Sequence, residues 1–203
     1  MKEIINKILN VDKKVLIFLI IISIIGIITG SIFITVLNEN DKNTIYESLN
    51  TFLAEYGHLN NKFSLFNNLI LNNMYTLLIW ILGISIIGLP IVILIIFFKS
   101  FLISFTISSF IMKYKTKGII LGIIYNIPHL IINLLVYLYL GVYSIKFSLN
   151  IIDMLFNKRN IDMKKTFSRY SVVLLFSFIM IILTSLYETY LMPIILKKVL
   201  KII

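Results

Sequence analysis

The residues able to do chemistry are few in this chain and lie far apart. Glu55 and His58 stand three apart in "AEYGHL", a spacing that places two side chains on one helix face and could start a zinc site. No third ligand accompanies them, and two ordinary surface residues are by far the better account of the pair. His129 belongs to a different set. Asn126, His129, Asn133 and Tyr137 recur at three- and four-residue intervals, so all four share one helix face. Two further ionisable residues interrupt long apolar runs: Lys99 in "GLPIVILIIFFKSFLISFTISSF" and Glu188 in "SLYETYLMP". The sequence shows no H-E-x-x-H, G-x-S-x-G, P-loop or metal-spaced cluster, and no cysteine. Catalytic, cofactor-binding and metal-binding residues are therefore read as none, and the chain as not an enzyme.

The elements that hold these residues are membrane helices. Of 203 residues, 59% are hydrophobic and 14% charged, and mean hydropathy is +0.99. A soluble domain carries about 25% charged residues. Long apolar stretches at 15–37, 69–98, 118–145 and 171–196, the last interrupted by Glu188, each reach the roughly 20 residues that cross a bilayer as a helix. A fifth stretch, 100–112, is short. The expected fold is all-α: a polytopic integral membrane bundle of about five helices, forming a single membrane domain.

The formal charge of +10 does not indicate a nucleic-acid partner, because the lysines flank apolar segments instead of forming a patch with interleaved aromatics. Lys2, Lys7, Lys13 and Lys14 precede an apolar run that is too long for a cleaved signal and lacks a small-x-small site. It reads as an uncleaved first span, with the N-terminus in the cytoplasm. The absence of cysteine leaves the redox compartment unread.

Within the first span, Gly26 and Gly30 have G-x-x-x-G spacing, with Ser23 on the same face, which allows a second helix backbone to approach. The polar segment after it contains an amphipathic helix over about 44–59, with Thr44 or Asn43 as N-cap. Its polar face carries glutamates and lacks the lysines of a lipid-adsorbing helix. A protein contact is the better expectation, with Glu47, Phe52, Glu55 and Tyr56 as candidates. Glu188, between Tyr187 and Tyr190 and ahead of Pro193, is read both as a partner-contact candidate at the interfacial belt and as a functional charge.

For the run around Lys99 the expected turn lies at Lys99-Ser100 on the membrane surface, with Pro90 as a kink. Ser100, Ser104 and Ser108 then line a packing seam on a short helix that either crosses or re-enters. A turn at Gly88-Leu89-Pro90 would instead sink Lys99 into the bilayer at roughly 2.5–3.5 kcal/mol. The basic loop 146–170 is expected to be cytoplasmic, but the Lys and Arg counts for a crossing and for a re-entrant 100–112 come out equal. Pro128 should kink the helix bearing the polar stripe. That stripe must meet protein or water, either as interhelical hydrogen bonding or as a substrate path.

From Trp80, "WILGISIIGLPIV" resembles the stage II sporulation protein M family. "FKSFLISFT", "FSRYSVVLL" and "SLYETYLMP" extend the likeness over nearly the whole chain. Ser100 stands where the resemblance leads one to expect glycine. The resemblance implies a membrane anchor, usually of five spans, in the septal or engulfing membrane of the mother cell during forespore engulfment. It further implies recruitment of the stage II sporulation proteins P and D, the cell-wall hydrolases of a peptidoglycan-remodelling complex. The alternative carried beside that scaffold is a transporter or channel subunit using the stripe on the fourth span.

Overall fold

The computed structural model describes residues 12–55, 61–156 and 161–202, and the described residues are all helix and turn. In chain order the helices are α1 (Lys13–Val36), α2 (Glu39–Glu55), α3 (Asn61–Gly83), α4 (Gly88–Tyr114), α5 (Thr116–Asn126), α6 (Ile132–Phe156), α7 (Met163–Leu186) and α8 (Met192–Ile202). A π turn, Ile127–Ile131, joins α5 to α6, and a second, Tyr187–Leu191, joins α7 to α8. Five described helical stretches are long and apolar enough to cross a membrane: Lys13–Val36, Leu65–Gly83, Gly88–Tyr114, His129–Phe156 and Met163–Val199. Their outer faces remain apolar, with Ile17, Ile21, Ile28, Leu94, Leu135 and Leu175 all exposed. That is the surface a bilayer requires, and the chain folds as a polytopic membrane bundle.

The principal core joins Leu19 of α1, Ile79 of α3, Val92 and Ile96 of α4, Leu140 of α6, and Val173 and Ile181 of α7. A second core lies at the other end, where Phe110 of α4, Leu121 of α5, and Met192 and Leu196 of α8 receive Leu49, Phe52 and Leu53 of α2. The α1–α4 contact uses small residues on both sides. A Cβ on Gly26 would lie 2.7 Å from the Phe97 carbonyl oxygen and 3.0 Å from Ser100 Cβ. Gly30 likewise faces the Phe101 backbone, and Ser23 is buried with its hydroxyl donating to Leu19 O at 2.9 Å. Ser100 and Ser104 are buried, Ser108 is half-exposed, and Ser109 is buried in its place.

The region around Lys99 corrects the sequence reading. Helix α4 continues unbroken through Lys99-Ser100, so there is no turn at that point and no separate short helix over 100–112. The chain reverses at Ile84–Ile87 instead. Pro90 lies in the first turn of α4, where its missing N–H has no intrahelical role, so it starts the helix and does not kink it. Gly83 and Gly88 make this hairpin possible: a Cβ on Gly83 would meet Ser144 Cα at 2.9 Å, and one on Gly88 would meet Leu82 Cα at 2.7 Å.

Other boundaries move as well. Helix α2 begins at Glu39, not at Asn43 or Thr44, because Glu39 and Asp41 suit the positive end of a helix dipole and Lys42 N bonds Asn38 O at 3.0 Å. Tyr56 and His58 lie outside the described residues. Much of the expected 146–170 loop is helical, belonging to the end of α6 and the start of α7. Asp162 caps α7 through Lys165 N at 3.0 Å, as Asp12 caps α1 through Lys14 N at 3.1 Å.

Two ends can be assigned from contacts. Asp12 Oδ2 lies 3.6 Å from Lys146 Nζ, and Ser148 Oγ donates to Gly83 O and Ser85 O. The start of α1, the 84–87 turn, the second half of α6 and the start of α7 therefore share one end. At the other end, Tyr114 Oη donates to Asn50 Oδ1 at 2.8 Å and Lys113 Nζ donates to Tyr46 O. Helix α2, the α4–α5 hairpin and α8 gather there.

Candidate functional site

Both π turns arise beside prolines. Pro128 falls inside the first, and Pro193 follows the second by two residues. A proline deprives the carbonyl four residues earlier of its donor, and a π turn is one way for a helix to absorb that loss. The two turns face each other in the bundle. The first presents His129 and the second Glu188, with Nε2 and Oε1 3.6 Å apart. The His129 side chain is 1% exposed and that of Glu188 15%, so this pair lies inside the protein. Neither ring nitrogen of His129 has a hydrogen-bonding partner, and its ring meets Tyr125 edge-on at 5.4 Å.

Lys99 completes the cluster. It sits near the middle of the 27-residue α4, with Nζ 3.4 Å from the centroid of the Tyr75 ring and 5.6 Å from that of Tyr137. Glu188 attracts it electrostatically across a separation too long for a direct ion pair. A lysine at this depth is costly. Here the cost is met by two aromatic faces and one carboxylate, the arrangement expected of an intramembrane charge.

All four stripe residues are buried, and two of them, Asn133 and Tyr137, hydrogen-bond across to neighbouring helices. Asn133 Oδ1 accepts from Thr184 Oγ1 at 2.5 Å, and Tyr137 Oη donates to Asn72 O at 3.2 Å. Asn126 bonds only its own helix, Nδ2 to Gly122 O at 2.7 Å, leaving Oδ1 without a partner. Between α3, α4 and α6 lies a cavity of about 90 Å³ whose polar lining is Asn72, Lys99, Thr106, Asn133 and Tyr137. Thr106 also lines a groove of about 400 Å³ between α2 and α4, with Ser48, Phe52, Ser109 and Tyr125.

The structure thus unites three residues that the sequence presented separately: Lys99, His129 and Glu188. The interfacial position considered for Glu188 is not the observed one, because the second π turn directs it inward against His129. Phe52 packs against Tyr125 at 5.1 Å within the chain, and Glu47 attracts Lys113. Tyr75, Asn72 and Thr184 carried no sequence signal, since each acts only through a helix distant in sequence. Lys99 and Glu188 did carry one, being opposite charges within apolar spans, which pair by default.

Among the described residues no group of three or more His, Cys, Asp or Glu could hold a metal ion. A sequence model described as Stage II sporulation protein M matches residues 16–193, most of the chain. The chain belongs to the stage II sporulation protein M family. The family is non-catalytic and gives the chain a sporulation-related role in the membrane, in the company of the sporulation machinery. No curated protein and no solved structure matches the chain. Within this stage II sporulation protein M homologue, His129 and Glu188 at the facing π turns and Lys99 of α4 bring one carboxylate and two bases together inside the bundle.

Proposed function

We propose that the chain is a non-catalytic scaffold that anchors a peptidoglycan-remodelling complex in the septal and engulfing membrane during forespore engulfment. In this role it recruits the stage II sporulation proteins P and D, which supply the hydrolytic chemistry. The observation that carries this reading is the family match over residues 16–193. We place the α1 end, with Lys13, Lys14, Lys146, Lys164, Lys165 and Arg169, in the cytoplasm, in line with an uncleaved first span that follows a basic N-terminal segment. Helix α2 then lies on the outer side, where the wall is.

Helix α2 is docked by Leu49, Phe52 and Leu53. Glu47, Ser48 and Thr51 line a shallow depression on its outward side. Glu55 belongs to the same helix. This acidic, hydroxyl-bearing face is the partner surface, whereas Glu188 is withdrawn into the bundle. Co-purification from sporulating cells tests the assignment. Reversing the charge by Glu47→Lys and adding a positive charge by Thr51→Lys lowers recovery of the two hydrolases. Lys113→Ala, which removes the internal partner of Glu47 and the bond to Tyr46 O but leaves the outward face unchanged, does not. Undiminished recovery with the double variant would remove α2 as the contact surface.

A further inference from the structure

Glu188, His129 and Lys99 comprise one acid and two bases. If Glu188 and Lys99 are charged and His129 is neutral, the cluster has no net charge. One added proton then makes it cationic in a medium where an isolated charge costs several kcal/mol. A single carboxylate can neutralise either base, but not both. His129 Nε2 stands 3.6 Å from Glu188, while Lys99 is held over Tyr75 and reaches Glu188 only through the field. Both nitrogens of the almost wholly buried imidazole lack hydrogen bonds, so no other donor occupies the lone pair of the unprotonated nitrogen that would take up an arriving proton.

The surroundings are suited to such an exchange. The other titratable groups facing the pair are phenols: Tyr75 from α3, Tyr125 from α5 and Tyr137 from α6. None of them supplies a second carboxylate. Lys197 and Lys198 of α8 are exposed, and Lys113 and Glu47 engage each other farther out. Thr106 lines both the cavity at Lys99 and the groove under α2, which also carries the hydroxyls of Thr44, Ser48 and Ser109. Toward the other end the bundle is sealed by Ile79, Val92, Ile96 and Leu140, all fully buried. Access is therefore one-sided.

We propose that His129 and Glu188, with Lys99 as the competing cation, form a proton-binding site in the middle of the bundle, reached from the α2 end past Thr106. The proton moves between the solvent at that end and the carboxylate or imidazole. Its arrival changes which base holds Glu188, at the two turns from which α5 and α8 extend to support α2. This inference does not depend on the scaffold reading.

Dicyclohexylcarbodiimide, which adds to protonated carboxyl groups from the apolar phase, tests the site in the full chain reconstituted in lipid nanodiscs, with mass spectrometry reading Glu188. Modification of the wild-type chain should fall several-fold between about pH 5.5 and about pH 8.5. Lys99→Met should raise the modified fraction at the upper pH, and His129→Gln should change the shape of the profile. Because the chain has no cysteine, Thr106→Cys in liposomes should react with a water-soluble maleimide added on the α2 side and not from the other. An unmodified Glu188 at every pH, or a wild-type profile flat with pH, would overturn the site even if neither variant folds. A Thr106→Cys thiol unreactive from the α2 side would overturn the access route.

Discussion

Gly26 of α1 rests on Ser100 of α4, so close that a single added Cβ would stand 3.0 Å from the serine Cβ and 2.7 Å from the carbonyl oxygen of Phe97. Neither neighbour can yield cheaply, since one atom is backbone and the other belongs to a buried side chain with a hydroxyl bond to Ile96 O at 2.9 Å. Gly26→Leu should therefore separate α1 from α4 and destabilise the folded chain by about 1–3 kcal/mol. Thermal unfolding in detergent checks this. A melting temperature equal to wild type would show that the two helices have room to part.

Gly83, at the end of α3, is surrounded by hydroxyl groups. Ser144 Oγ donates to Ile79 O at 3.0 Å, Ser148 Oγ to Gly83 O at 2.8 Å, and Tyr170 Oη to Trp80 O at 2.8 Å. The last four carbonyls of a helix have no partners within it, so Tyr170 of α7 and Ser148 of α6 act as a tertiary C-cap, and Ser144 adds a bond one residue earlier. Tyr170 also stacks on Trp80 and on Phe147, with centroids 5.7 and 5.2 Å away. Tyr170→Phe keeps the stacking and loses only the hydroxyl. We expect a loss of about 1–2 kcal/mol from it, and a similar loss from Ser148→Ala. Backbone hydrogen exchange should rise at the end of α3 in both variants and stay unchanged in α1.

Residues that act through local period were readable in the sequence, and residues that act across helices were not. The G-x-x-x-G face and the stripe from Asn126 to Tyr137 are patterns within one helix, so their burial follows from spacing alone. Lys99 could not be placed in the same way. A lysine beside a serine in an apolar run looks like a surface turn until Tyr75 and Glu188, from two other helices, are seen to face it. The true turn at Ile84–Ile87 was hidden for a related reason: its glycines act through close approach to Ser144 and Leu82. Pro90 is compatible with both readings, since it serves equally as a kink or as a helix start.

Lys115 carries the whole connection between α4 and α5, with φ 52° and ψ −127°, a backbone conformation that L side chains rarely adopt. The hairpin is held tight by Gly118, whose Cβ would fall 2.6 Å from the Phe110 carbonyl carbon. Glycine adopts that conformation without steric penalty, although it loses more chain entropy on folding. Lys115→Gly should therefore be tolerated and stabilise by about 0.5–1 kcal/mol, read as a higher melting temperature. Lys115→Val should lower it, because a β-branched side chain fits positive φ worst.

The arrangement of ends predicts a topology that cysteine labelling can read. Ser85 lies in the turn beside the start of α1 and the end of α6, while Lys115 lies beside α2. The unbroken α4 separates the two along a 27-residue helix of about 40 Å, enough to cross the hydrocarbon core with both ends in water. With the basic α1 end in the cytoplasm, an impermeant maleimide on intact cells should label Lys115→Cys and leave Ser85→Cys unlabelled until the membrane is opened. Reversed labelling would invert the bundle and move α2 to the cytoplasm, out of reach of the wall. Labelling of both sites in intact cells would contradict the continuous α4, because the two ends of one spanning helix cannot share a side.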